Sequence, residues 1–236
     1  MKKVIIGATG SIGSSLARKL VESGEQVHLV GREETSLSEL AGELDSTFTT
    51  CDVLEENFSE KIINDLKSEQ VNGLAYCVGS IDLKPLKLTK KSDFMQSFNL
   101  NLVSATEAIK SLADNLKTNK GSIVLFSTVA VKQGFPNHAI VSSAKGAIEG
   151  LTLALAAEYA PNIRVNCIAP SLTNSKISNF LLKNEKMAES IAKMHPLKRI
   201  GEGVDSASVA KFLLTEESSW ITGQILGVDG GRSSVA

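Results

Sequence analysis

Short runs of aliphatic and β-branched residues recur along the chain, separated by longer stretches whose apolar residues fall three and four apart. Val4-Ile5-Ile6 is the first run. Ser14 to Val21 then reads as a helix with Leu16, Leu20 and Val21 on one face, stopped by Gly24. Further strands are expected at Gln26–Val30, Thr47–Thr50, Val71–Gly79, Gly121–Ser127, Ile163–Ile168 and Gln224–Val228. Helical periodicity covers Glu55 to Lys67, with Phe58, Ile62 and Leu66 inward. It also covers Thr89 to Leu116, and a segment from Asn137 or His138 to Tyr159. Strands that are apolar throughout and alternate with helices belong to a parallel sheet covered on both faces. Right-handed crossovers then give an α/β, doubly wound fold. No linker or repeat divides the chain, so residues 1–236 are expected to form one domain.

The first turn carries the clearest chemistry. Gly7-Ala8-Thr9-Gly10-Ser11-Ile12-Gly13 joins a strand to a helix. Gly7 permits a tight turn, Gly10 lets backbone approach a pyrophosphate, and Gly13 lets the helix pack on the strand. The helix N-terminus offers free N–H groups to the phosphates. Thr9, Ser11 and Ile12 lie in the same turn and are expected to line the same dinucleotide site. The second strand ends at Gly31-Arg32, where an acidic residue would bind the 2′-hydroxyl of NAD. A guanidinium suits a 2′-phosphate, so NADP is expected, with NAD as the alternative because Glu33 and Glu34 follow directly. Asp52, after the third strand, is placed to accept from the adenine amino group. His28 alternates with apolar neighbours and reads as structural.

Composition narrows the partners. A formal net charge of -1 with 22% charged residues gives no reason to expect nucleic-acid or membrane binding. No apolar run is read as long enough to span a bilayer, and the glycine-broken N-terminus does not read as a signal peptide. Cys51, Cys77 and Cys167 lack metal-type spacing and end apolar runs. They read as buried free thiols in a reducing, cytoplasmic setting, and no metal site is expected.

Taken together, these segments resemble the short-chain dehydrogenase/reductase family along nearly the whole chain. The likeness rests on the Gly7/Gly10/Gly13 turn, Asp52-Val53, the strand ending at Gly79, and Gly121-Ser122-Ile123-Val124. It continues in Ile163-Arg164-Val165-Asn166 with Ala169-Pro170, in Ile221-Thr222-Gly223-Gln224, and in Val228-Asp229-Gly230-Gly231. The resemblance implies a seven-stranded Rossmann sheet that binds NAD(P) across its strand ends. Asp52, Val53, Gly79, Lys145, Pro170 and Thr173 would join the glycine turn and Arg32 in holding it. It also implies a homodimer or homotetramer formed through helices 89–116 and 137–160, and a substrate loop at 172–196.

The resemblance further implies four catalytic side chains. Asn101 falls at the Asn position, which holds a water; Thr128 falls at the Ser position; Lys145 falls at the Lys position, which holds the nicotinamide ribose. The Tyr position, four residues before Lys145, is Val141. Valine has no proton to give, and a positioned general acid is worth roughly 10²–10⁴ in rate. His138 lies one turn before Val141 and is the first candidate to replace it. Ser142, Ser143 and Lys145 itself follow. Tyr76 is expected under the adenosine half instead. Two readings result. One is an oxidoreductase that moves a hydride between nicotinamide and a small-molecule carbonyl or alcohol, with a non-standard proton donor. The other is a nucleotide-binding sensor, regulator or oligomer partner without turnover.

Overall fold

The computed structural model describes residues 1–235. Seven strands form one parallel sheet in the order β3-β2-β1-β4-β5-β6-β7. They are β1 (Lys2–Ile6), β2 (Gln26–Gly31), β3 (Thr47–Thr50), β4 (Val71–Tyr76), β5 (Ser122–Phe126), β6 (Arg164–Pro170) and β7 (Ile225–Val228). The order reverses between β1 and β4, which opens a crevice above the strand ends.

Alternation along β1 divides the core. Ile5 joins Leu29, Ala75, Val124 and Ile168 on one face, under α1 (Ser11–Glu22), α2 (Glu34–Glu43) and α10 (Gly203–Leu214). Val4 and Ile6 join Leu74, Ile123 and Val165 on the other. That face is covered by α3 (Phe58–Leu66), α5 (Ser104–Thr118) and α7 (Ala139–Tyr159). Phe58, Ile62 and Leu66 point inward from α3 as their spacing requires.

Several expected boundaries need correction. β4 ends at Tyr76, so Val78 and Gly79 belong to the loop above it. The expected continuous helix from Thr89 to Leu116 is α4 (Lys91–Phe98), a π-helical turn (Asn99–Val103), then α5. The wider turn frees carbonyls, and side chains take them up. The Tyr76 hydroxyl donates to Leu100 O at 2.7 Å, and Ser104 Oγ donates to Asn99 O at 2.8 Å. Tyr76 is therefore a buried brace for the π turn and does not itself line the crevice. α7 is 21 residues long and contains an 18-residue window of mean hydropathy 1.3, so by length and composition it reaches what a membrane span requires. Its Ile140, Val141, Ala144, Ile148 and Ala156 face the interior, as in a core helix. Cys51 and Cys167 are buried, whereas Cys77 is only half-buried; Cys51 and Cys77 both border the crevice.

Candidate active site

The crevice is a cleft of about 660 Å³. At its centre is the β1–α1 turn. A methyl group on Gly13 would collide with the carbonyl oxygen of Gly7, so only glycine lets α1 start this close to β1. Gly10 is the N-cap of α1 and has no side chain to cap it. The first N–H groups of the helix are thus left without side-chain partners. Gly7, Thr9, Gly10, Ser11, Ile12 and Gly13 all line the cleft.

At the β2–β3 end, the lining includes Arg32, Glu33, Asp52 and Val53. Arg32 Nη1 lies 3.7 Å from Asp52 Oδ2, and Asp52 Oδ1 accepts from Leu54 N at 3.0 Å. The residue expected to meet adenine is therefore also the ion-pair partner of the residue expected to meet the phosphate.

At the other end, four elements converge. α7 brings Val141 and Lys145, the loop after β4 brings Gly79, and the loop after β5 brings Thr128. Thr128 caps α6 (Val129–Gln133): its Oγ1 accepts from Ala130 N at 3.3 Å, which leaves the hydroxyl hydrogen free to donate. Gly79 is glycine for a reason. A methyl there would meet Lys145 Nζ at 3.1 Å and Asn101 Oδ1 at 3.3 Å. Asn101 comes from the π turn and is fully buried behind Gly79, so, like the candidate donors Ser142 and Ser143, it does not itself line the cleft. Its Nδ2 donates to Ser97 O at 2.9 Å, but Oδ1 has no partner among the described residues.

Burial pushes the Lys145 ammonium down to about 8, and the Cys167 and Cys77 thiols oppose this only in part. The same burial pushes the Cys77 and Cys167 thiols up to about 12, so neither is a nucleophile at neutral pH. Ser127, next to Thr128, is committed to Glu149 Oε1 at 2.6 Å. Ser142 Oγ donates to Ala130 O and Ser143 Oγ to Ala139 O, so both serines are engaged with backbone.

His138 is the N-cap residue of α7 and lines the cleft beside Val141. Its Nδ1 lies 2.8 Å from Pro136 O. A carbonyl only accepts, so Nδ1 carries the hydrogen and Nε2 is left open. Phe135 packs edge-on against the ring at 5.3 Å.

The last wall is the 172–196 segment. It holds α8 (Asn179–Leu182) and α9 (Glu185–Lys193) and contributes Leu172, Thr173, Ile177, Leu181, Ile191 and Met194. Pro170 and Ser171 close the end of β6. Two features of this wall escape sequence reading. His195 is buried, donating from Nδ1 to Ile191 O and accepting from the Ser171 hydroxyl, both at 2.8 Å. Arg232 reaches the cleft from beyond β7, because Gly230 and Gly231 turn the chain back with φ of +60° and +86°. The two consecutive glycines were the only available signal.

Comparison with known proteins agrees with this geometry. The family model described as enoyl-(acyl carrier protein) reductase matches residues 7–233. A tropinone reductase homologue of Arabidopsis thaliana is 32% identical over 238 residues, covering 97% of this chain and 90% of that protein. Dehydrogenase/reductase SDR family member 4 of Rattus norvegicus is 31% identical, covering 98% of this chain and 86% of that protein. Among solved structures, ElxO with NADP bound superimposes with a TM-score of 0.91 at 27% identity, covering 99% of this chain and 98% of that one. A short-chain type dehydrogenase/reductase from Mycobacterium ulcerans gives a TM-score of 0.91 at 25% identity, covering 98% and 89%. The chain belongs to the short-chain dehydrogenase/reductase family of oxidoreductases.

Proposed function

We propose that the protein is an NADP(H)-dependent oxidoreductase acting on a small-molecule carbonyl or alcohol, with an altered proton donor. The observation that carries this is the orphaned Asn101 Oδ1 beside the buried, carboxylate-free Lys145 ammonium, at the open end of a glycine-turn cleft. Buried polar groups without partners fit a site that a ligand or its waters complete.

The residues present fit a dinucleotide. The Gly7–Gly13 turn and the uncapped α1 terminus would hold a pyrophosphate. Arg32 would meet the 2′-phosphate, exchanging the distant Asp52 carboxylate for it. Asp52 and Val53 would flank the adenine, while Thr173 and Pro170 would flank the nicotinamide. Bound there, the nicotinamide supplies or accepts the hydride. Lys145 would hold the ribose hydroxyls. Asn101 Oδ1 would hold a water next to the Lys145 ammonium. Thr128 would donate its free hydroxyl hydrogen to the carbonyl oxygen.

Val141 stands where the family's tyrosine would be, and His138 takes its task in this reading. With Nδ1–H fixed on Pro136 O, neutral imidazole has only a lone pair at Nε2. The acid is therefore the imidazolium. It passes its Nε2 proton to the carbonyl oxygen and regains one from solvent, to which the half-exposed ring is open. Val141 also favours a second reading, a nucleotide-binding protein without turnover.

We also propose assembly as a homodimer or homotetramer through the 89–116 and 137–160 helices. Met95, Val103 and Leu153 present exposed apolar side chains there. Sedimentation velocity checks this, and a monomer at micromolar concentration overturns it.

Titration with NADPH and NADH tests the central reading. Tight NADPH and weak NADH binding supports it. Binding of neither removes both the oxidoreductase and the sensor readings. Binding of NADPH with no turnover of any ketone or alcohol leaves the second reading in place.

A further inference from the structure

Five arginines occur in the chain, and four are spoken for. Arg18 pairs with Glu43 at 2.7 Å, Arg199 with Asp205 at 2.6 Å, and Arg32 with Asp52 at 3.7 Å. Arg164 donates to Ser218 Oγ and to the Thr215 and Ile221 carbonyls. Arg232 differs. Among the described residues its guanidinium makes one hydrogen bond, from Nη1 to Met194 O at 3.0 Å. It also lies over the Phe135 ring, with Cζ 5.3 Å from the centroid. Five N–H donors in a planar fork leave most of its capacity unused.

Its surroundings show what that capacity suits. Arg232 lines the catalytic end of the cleft, together with Lys145 and Lys176. Among the described residues the only carboxylates that line the cleft, Glu33 and Asp52, sit at the opposite end with Arg32. The same lining holds the apolar Leu83, Leu172, Ile177, Leu181 and Met194, and its polar Ser171, Thr173, Ser175 and His195 are already hydrogen-bonded within the wall. A fixed, stacked guanidinium at a largely apolar pocket end, with no carboxylate beside it among the described residues, is built for a planar anion.

We propose that Arg232 anchors a carboxylate of the substrate, so that the substrate is a keto acid or hydroxy acid with an apolar chain. This names the substrate class and rests on the oxidoreductase reading above. Phe135 and Met194 O hold the fork in place, and the apolar wall takes the body of the substrate. Neutral ketones fit the wall but leave the fork unused.

The test uses keto acids with one to four methylenes between ketone and carboxylate, each beside its methyl ester. kcat/KM is measured with saturating NADPH, and binding to the protein–NADPH complex is measured by calorimetry. At the best spacing, the acid is expected to be favoured roughly 10–100-fold over its ester. R232Q is expected to erase that preference, so that acid and ester are then used at the same kcat/KM. Should R232Q lose NADPH binding, R232K decides, because it keeps a donor for Met194 O but loses the fork. A several-fold drop in preference is then expected. Equal use of acid and ester at every spacing overturns the anchor and leaves the oxidoreductase reading standing. So does a preference that survives both substitutions. Acid-selective binding lost in R232Q without any turnover keeps the anchor and removes the oxidoreductase reading.

Discussion

His28 and Lys145 are both titratable and both buried, yet their surroundings are opposite. Around His28 every donor has an acceptor. Lys2 Nζ donates to Thr47 Oγ1 at 2.9 Å, and the Thr47 hydroxyl donates to His28 Nδ1 at 2.8 Å. His28 Nε2–H donates to Thr49 Oγ1 at 2.9 Å, and the Thr49 hydroxyl donates to Asp65 Oδ2 at 2.7 Å. The chain of bonds runs from cation to carboxylate and closes. Around Lys145, Asn101 Oδ1 has no partner among the described residues, and no carboxylate offsets the ammonium. A closed polar network rigidifies a fold, whereas an open one costs free energy until something binds. Ser46 Oγ and Thr50 Oγ1 are also buried without partners among the described residues, so it is the pairing of an open oxygen with a buried ammonium in the cleft wall that sets the Lys145 cluster apart.

Completing the open cluster gives the largest expected effect. Val141→Tyr places a phenol one helical turn from Lys145, whose ammonium would lower the phenol's pKa. NADPH-dependent reduction of simple ketones is expected to rise roughly 10²–10⁴-fold, the usual worth of a positioned acid. No gain with any ketone would mean the pocket, and not only its acid, departs from the family pattern.

Acid should act on the closed cluster. Burial first, and Lys2 second, push His28 down to about 4, with Asp65 and Glu69 offsetting part. The unfolded chain binds this proton at an ordinary histidine pKa, so between that value and about 4 it holds more protons than the native state. Stability is complete above about pH 6.5 and is lost as the pH falls through about 4, by up to about 3 kcal/mol. Urea unfolding at pH 7, 5.5 and 4 checks this, with His28→Gln expected to flatten the dependence. Equal pH dependence in both proteins would mean His28 is not the group responsible.

Periodicity alone does not tell one cluster from the other, although the family resemblance singles out Asn101 and Lys145, and the reason is geometric. His28 alternates with apolar residues on β2, Asn101 sits in an apolar helical stretch, and both look like core positions. What separates them is the partner list, set by Thr47 and Thr49 across the β2–β3 register and by the π turn behind Gly79. The π turn leaves no mark on periodicity, so one helix is expected where two are found. The seven strands and the glycine turn were legible because apolar runs and backbone conformation report directly on residue type. α2 was not, because Leu37, Leu40 and Ala41 are its only buried residues. α10 packs largely through small residues such as Ser206, Ala207 and Ala210, which carry little periodic signal. His195 and Arg232 reach the cleft through turns, so no spacing ties them to it.

Lys145→Met sharpens the contrast with a trade between stability and binding. Because the folded lysine titrates near 8, below its unfolded value, its burial opposes folding at neutral pH. That cost is relieved as the pH rises from about 8 past the unfolded value. Methionine removes it outright, so the ligand-free variant is expected to be more stable at pH 7 by up to about 3 kcal/mol. NADPH affinity is expected to fall at the same time. In the wild type it falls as the pH rises through about 8, and in the variant it is flat. A variant that is less stable than wild type at pH 7 would show that the ammonium has a partner after all.

Asn101→Leu carries the smallest expected change in stability and the most pointed one. The substitution keeps roughly the side-chain volume. It removes the Nδ2 hydrogen bonds to Ser97 O at 2.9 Å and to Ser97 Oγ at 3.4 Å, of which the short one is worth about 1 kcal/mol. It also removes an unsatisfied buried oxygen whose desolvation costs a similar amount. The two nearly cancel, so chemical unfolding should place the variant within about 1 kcal/mol of wild type. Thr49→Val, the matching change in the closed cluster, leaves both His28 Nε2–H and Asp65 short of a partner and is expected to cost clearly more. If Asn101→Leu were instead the more damaging of the two, Asn101 would belong to the structural network, and its open oxygen would not mark a ligand's place.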